Sequence, residues 1–307
     1  MKDQDSKKNE KLFRDFPPVS TEAWKEKIIK DLKGADYDKK LVWKTGEGFE
    51  VQPFYRSEDL EDLENLDVFP GDFPYARSNK KNNNDWLVRQ DIKVNDIQVA
   101  NKKALDILMK GITSLGFVLP EKKPTEKEIE DMLENIFADS VELNYLAGEY
   151  QLEVVKIINN LVRKYNRDLE KIKGSVDYDP IGDLLLRGKF RKGENLAFAN
   201  ISDLLKEAKH LPNFHLVSIQ AIIYKNAGAS LVEELAFALA HGNEYLKKMI
   251  DLGHDVNELA PRIKFNFGLG SNYFLEIAKI RAARILWAHI VNAYGPDKPE
   301  TTRMFIH

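Results

Sequence analysis

The chain has 307 residues, 43% of them hydrophobic and 10% aromatic, enough to bury a sizeable core and too apolar for general disorder. Its 46 basic and 49 acidic residues leave a net charge of -3, which argues against a globally basic nucleic-acid footprint. Cysteine is absent, so a disulfide framework, a thiol nucleophile, a thiolate zinc site and a Cys-ligated iron–sulfur cluster are excluded. No apolar run approaches the roughly 20 residues of a membrane span, and the polar start MKDQDSKKNEK has no signal-peptide core. A cytoplasmic protein with no membrane and no nucleic-acid partner is the expectation.

Residues 1–11 read as a solvated tail. Phe13, Phe16, Pro17 and Pro18 form an extended apolar segment, and Ser20 can cap a helix with Trp24, Ile28 and Leu32 on one face, stopped by Gly34. Residues 41–55 read as an extended arm with turn glycines at 46 and 48, and residues 57–85 carry loop chemistry. The boundary of the compact domain is placed near residue 84, giving an N-terminal arm over 1–84 and a compact domain over 85–307.

From Trp86 short apolar runs alternate with amphipathic helices. Strands are predicted over 86–92, 112–119, 140–146, 171–177, 214–224, 262–268 and 303–306. Thr125 and Glu128 form a capping box before Ile129, Met132, Leu133, Ile136 and Phe137 at helical spacing. Residues 148–165 repeat the pattern with Val154, Val155, Ile158, Leu161 and Val162; a shorter helix covers 200–210. Ser230 and Glu233 open another helix, and 272–294 is the strongest, with Phe274, Ile277, Ala278, Ala282 and Ile285 on one stripe. Strand-then-helix repeated this often implies an α/β fold with a parallel sheet, closed as a TIM-type (β/α)8 barrel. Only seven strands are visible and the chain stops within the seventh, so the barrel is read as incomplete at its C-terminus; a doubly wound open sheet is the alternative.

Several strings are specific: W-K-T-G-E-G (43–48), P-F-Y (53–55), P-G-D-F-P-Y-A-R (70–77), W-L-V-R-Q (86–90) and A-P-R-I-K-F-N-F-G-L-G-S-N-Y-F-L-E-I-A-K-I-R-A-A-R-I-L-W-A (260–288). Together they resemble the methylmalonyl-CoA mutase family, and its small subunit in particular, from about Phe13 to His307. The resemblance implies a barrel that threads a CoA thioester along its axis and a separate domain that holds adenosylcobalamin for methylmalonyl-CoA/succinyl-CoA isomerisation. It also implies, for heterodimeric members, a large subunit that reacts and a small one that does not. The cobalamin signature D-x-H-x-x-G is missing, since none of His210, His215, His241, His254, His289 and His307 has an Asp two residues before it. The cofactor is therefore expected on the partner and none on this chain.

Carried over residue by residue, the resemblance places Asp91 where catalytic members have a tyrosine, Ile223 where they have the histidine that hydrogen-bonds the thioester carbonyl, and Asp177 where they have a strand-four glutamine. These replacements imply a lost active site. Arg89, Ser114, Phe117, Arg187 and Arg262 match substrate-contacting positions; the plain alternative is that the arginines pair with Asp91 or Asp177 inside a filled barrel. Gly268-Leu269-Gly270 before a helix could cradle a phosphate, but close packing explains it as well.

Three readings follow. The first is a non-catalytic small subunit that stabilises a large catalytic partner, with Phe13, Phe16, Trp24 and Ile28 at the interface. The second is an active mutase fragment needing a separate cobalamin domain. The third is a sensor that keeps a CoA-ester channel.

Overall fold

The computed structural model describes residues 15–307, so the tail over 1–11 and Phe13 lie outside the described residues. The chain divides into two compact units, the first ending at Leu63 and the second running Glu64–His307.

In the first unit, helix α1 (Thr21–Asp31) starts where Ser20 Oγ accepts from Ala23 N at 3.2 Å. Helix α2 (Tyr37–Leu41) is capped by Asp36. The segment read as an extended arm is a short antiparallel hairpin, β1 (Trp43–Lys44) with β2 (Glu50–Val51), turned at Gly46 and Gly48. Trp24 packs on Phe54, ring centroids 5.6 Å apart, and the Arg56 guanidinium lies over the indole. Helix α1 nevertheless buries none of its residues.

The second unit is built on seven parallel strands that neighbour one another in chain order. They are β3 (Arg89–Lys93), β4 (Ser114–Val118), β5 (Glu142–Leu146), β6 (Gly174–Tyr178), β7 (Phe214–Ile219), β8 (Ile263–Phe265) and β9 (Phe305–Ile306). The helices between them are α3 (Ile97–Leu108), α4 (Glu126–Met132), α5 (Gln151–Lys164), α6 (Pro180–Arg187), α7 (Glu194–Glu207), α8 (Ile222–Asn226), α9 (Leu231–Asp251), α10 (Val256–Leu259) and α11 (Tyr273–Asn292). The sheet is curled: Arg89 on β3 reaches Asp177 on β6, and Lys264 on β8 reaches Ser175 on β6. An open, doubly wound sheet would keep such strands apart. The fold is an α/β TIM-type barrel carrying seven strands.

Strand alternation sorts the side chains. Leu115, Phe117, Leu143, Tyr145 and Val176 point outward and bury under the helices. The two capping boxes form as the sequence predicts, Thr125 with Glu128 and Ser230 with Glu233, and the stripe Val154, Val155, Ile158, Leu161 and Val162 is buried on α5.

Four expectations change. Residues 64–84 group with the barrel, where Tyr75 is buried and donates its hydroxyl hydrogen to Pro299 O at 2.8 Å. Helix α4 stops at Met132 rather than running through Phe137, because Asn135 takes a left-handed conformation (φ 61°) that no helix continues. The run 214–224 is a strand only to Ile219, after which α8 begins. Helix α11 buries Glu276, Lys279, Ala283, Trp287, Ala288 and Val291, while Phe274 and Ile277 are exposed. The buried face of α11 is partly ionic, so apolarity alone selected the wrong stripe.

Candidate functional site: the barrel axis

The inward positions of the strands carry polar groups rather than the branched apolar layers usual in such barrels. Arg89 sits at the start of β3, its side chain almost fully buried. Its Nε donates to Asp91 Oδ1 at 2.7 Å and its Nη2 reaches Asp177 Oδ2 at 3.4 Å. From the opposite side Lys264 Nζ lies 2.7 Å from Asp177 Oδ1 and donates to Ser175 Oγ at 2.8 Å. Ser175 Oγ and Ser218 Oγ each donate to Asp177 Oδ1 at 2.8 Å. Below them Ser114 Oγ donates to Glu142 Oε2 at 2.5 Å, and Asn144 Nδ2 donates to Ser114 Oγ at 2.9 Å. A Cβ at Gly116 would overlap the Asp91 carboxylate, so this glycine is what lets Asp91 turn inward.

Burial opposes ionisation of Asp177, but the attraction of Lys264 and Arg89, helped by hydrogen bonds, outweighs it and holds the carboxyl well below the usual carboxylate range. Burial pulls the Lys264 ammonium down while Asp177 pushes it back up. His215, on β7, is pushed down to about 4, first by burial and then by the nearby Lys264. Its Nδ1 lies 3.1 Å from Pro261 O. The axis thus carries the carboxylates of Asp91, Asp177 and Glu142 against the cations of Arg89 and Lys264.

The C-terminal mouth of the barrel is held by a second cluster. Asp179 caps α6 through Gly182 N (2.9 Å), accepts from Gln220 N (3.0 Å) and from the Tyr245 hydroxyl (2.7 Å), and lies 2.9 Å from His241 Nε2. A 200 Å³ opening here is lined by Asp177, Asp179, Gln220 and Ile223 among others. Ile223 stands in the first turn of α8 and offers no hydrogen-bond donor from its side chain. Among the described residues no group of acidic or histidine side chains is arranged to hold a metal, and His241 at the mouth is buried beside Asp179.

The Gly268–Gly270 loop is occupied from within. Gly268 N donates to Glu234 Oε1 at 3.0 Å and Gly270 N to Glu276 Oε1 at 2.5 Å. Lys279 Nζ ties both carboxylates together at 2.7 Å each and also donates to Gly268 O at 2.8 Å. The amides a phosphate would need already hold carboxylates.

The structure brings Arg89, Asp91, Asp177 and Ser114 together on the axis, and leaves the other candidates elsewhere. Phe117, expected to contact substrate, lies on the outward face of β4 and stacks on Tyr145 at 6.0 Å, because side chains two apart share a face and Ser114 takes the inner one. Arg262, expected likewise, donates to the carbonyls of Leu211, Phe214 and Ala208, closing the foot of the barrel. Arg187, expected to pair a substrate carboxylate, is half-exposed in the last turn of α6 and pairs with Asp183 at 3.2 Å. The residue sequence reasoning missed is Lys264. Its signal was a lone lysine inside the apolar run I-K-F, two residues after the A-P-R arginine.

A curled parallel sheet whose axis is bridged by its own ion pairs defines the chain as one of the α/β barrel class. The comparisons agree with that class: the methylmalonyl-CoA mutase family model matches residues 44–125 and 124–307, and the chain belongs to that family. It is 45% identical over 306 residues to a methylmalonyl-CoA mutase small subunit of Porphyromonas gingivalis, covering 98% of this chain and 49% of that protein. It is 29% identical over 315 residues to a methylmalonyl-CoA mutase of Cereibacter sphaeroides (93% of this chain, 44% of that protein). It is 28% identical over 310 residues to the large subunit of the Porphyromonas gingivalis enzyme (91% and 43%). The chain spans about half the length or less of these curated relatives.

Proposed function

We propose that this chain is the barrel part of the small, non-catalytic subunit of a heterodimeric, adenosylcobalamin-dependent methylmalonyl-CoA mutase, acting in the cytoplasm by supporting a large subunit that carries the cofactor and performs the isomerisation. The observation that carries this reading is the axis. A pantetheine arm would have to displace Arg89, Asp91, Asp177 and Lys264 from mutual contacts of 2.7–3.4 Å, which strips partners from the buried charges of Arg89, Asp177 and Lys264. Ile223 adds to it, since an aliphatic side chain cannot polarise a thioester carbonyl.

The N-terminal unit supplies the partner surface. An 11-residue helix that buries nothing is marginal by itself, and Trp24, about half exposed on the same helix as Ile28, is a large aromatic anchor, with Phe16 also exposed before the helix.

Co-expression with a large mutase subunit, followed by affinity capture and sizing, tests the reading. A one-to-one complex is the expected result, with loss of large-subunit stability when this chain is withheld. The chain alone, given adenosylcobalamin and methylmalonyl-CoA, should not turn over, and titration with CoA should release no heat. Turnover by the chain alone, or a CoA heat, would replace the first reading by the fragment or the sensor. Trp24→Ala should raise the dissociation constant of the complex by roughly tenfold or more; equal constants for parent and variant would remove the arm from the interface.

A further inference from the structure

A second cavity lies away from the axis, in the layer between sheet and helices. It measures about 500 Å³ and is walled by Leu143 and Tyr145 of β5, Phe214 of β7, Ile158 and Leu161 of α5, and the loop after α4. Its cause is the short α4. Only 7 residues long against 14 for α5, this helix stops at Met132 and leaves the outer face of β5 covered by the loop instead.

The cavity opens at the feet of the strands, opposite the end where barrels of this type place their chemistry. Its size lies within the roughly 300–1,000 Å³ usual for small-molecule sites. The rim carries Lys127, Arg167 and Lys173 against Glu130, Asp131 and Glu134, so it has no net sign. Arg167 is paired with Asp139 at 3.3 Å and lies over the Phe137 ring, which flanks the entrance. In the inner wall the Tyr145 hydroxyl is buried without a hydrogen-bond partner, and burial keeps it protonated, with its O–H free to donate. An unpaired buried donor is costly and is satisfied by an acceptor that enters with an apolar body.

We propose that this cavity is a binding site for a neutral, mostly apolar small molecule that presents one hydrogen-bond acceptor, such as a ketone or ester carbonyl, to Tyr145. The neutral rim gives no advantage to an anion, and the apolar wall penalises one.

The test is a titration of the 307-residue chain with 2-octanone, read by methyl NMR shifts, with octanoate as the charged control. Saturable shifts confined to Leu143, Ile158 and Leu161 are expected, with octanoate binding at least tenfold more weakly. Leu161→Trp, which fills the cavity, should abolish the shifts while circular dichroism stays that of the parent. Tyr145→Phe, which removes only the hydroxyl, should weaken the ketone about fivefold. The proposal is overturned if 2-octanone produces no saturable shift, if octanoate binds as well, or if Leu161→Trp binds like the parent. Ketone binding unchanged in Tyr145→Phe would overturn the assignment of Tyr145 as the donor.

Discussion

The barrel has two interiors that obey different rules. Outside the sheet, Val154, Ile158, Ile201, Leu204 and Trp287 pack by size and shape, and each loses only its own contacts when trimmed. Inside the sheet, Arg89, Asp91, Asp177 and Lys264 hold one another by charge. The outer layer is tolerant because its contacts are many and small. The axis is brittle because each group is the reason another can be buried. The same strands present both interiors, on alternate residues.

The largest break of this contrast is expected from Asp177→Ala. It leaves the Lys264 ammonium and part of the Arg89 guanidinium buried without a charged partner, and should cost about 4 kcal/mol in urea unfolding. The double change Asp177→Leu with Lys264→Met should cost less than the single one, since Arg89 keeps Asp91 and no ammonium is stranded. If the double variant is the weaker, the axis is not held by charge compensation.

Acid should act next, and on the axis. His215 titrates near 6.5 when unfolded and is pushed down to about 4 in the fold. Between those values the unfolded chain binds more protons, so stability falls as pH drops from about 6.5 to 4, by about 3 kcal/mol in all. Asp177, held below its unfolded value of 3.8, extends the loss to lower pH. His215→Phe should flatten the upper part of the profile; an unchanged slope between pH 6.5 and 4 would mean that His215 is not the group responsible.

The outer layer should respond more gently. Ile201→Val, in a position with no exposure, should cost about 1 kcal/mol. Ser230→Ala, which removes the cap of α9, should also cost about 1 kcal/mol, or less. Both are read as urea midpoints at constant m. A loss near 4 kcal/mol from either would erase the distinction between the two interiors.

What could be read in advance follows the same division. The parallel order, the seven strand positions and both capping boxes were legible, because period and cap chemistry are local signals. Of the axis, Asp91 and Asp177 were legible as departures from a family pattern and Arg89 as a match to it, and their pairing as one of two alternatives. Lys264 was not, since no local rule marks a lysine in an apolar run as a cross-barrel partner of a residue 87 positions away in sequence (Lys264 less Asp177). Phe117 and Arg262 were misplaced because matching a motif says nothing about which face of a strand, or which end of a barrel, a side chain occupies. On α11 the pairing of Lys279 with Glu234 and Glu276 put charge where burial was expected to select apolarity.

The loop at Gly268–Gly270 has taken its anion into the covalent chain. Glu234 and Glu276 present their carboxylates to the loop amides at an effective concentration that no dissolved metabolite matches. The order of this corner is therefore set at synthesis and stays constant as phosphate esters in the surrounding solution rise and fall. This corner is a fixed point of the barrel that does not move with supply.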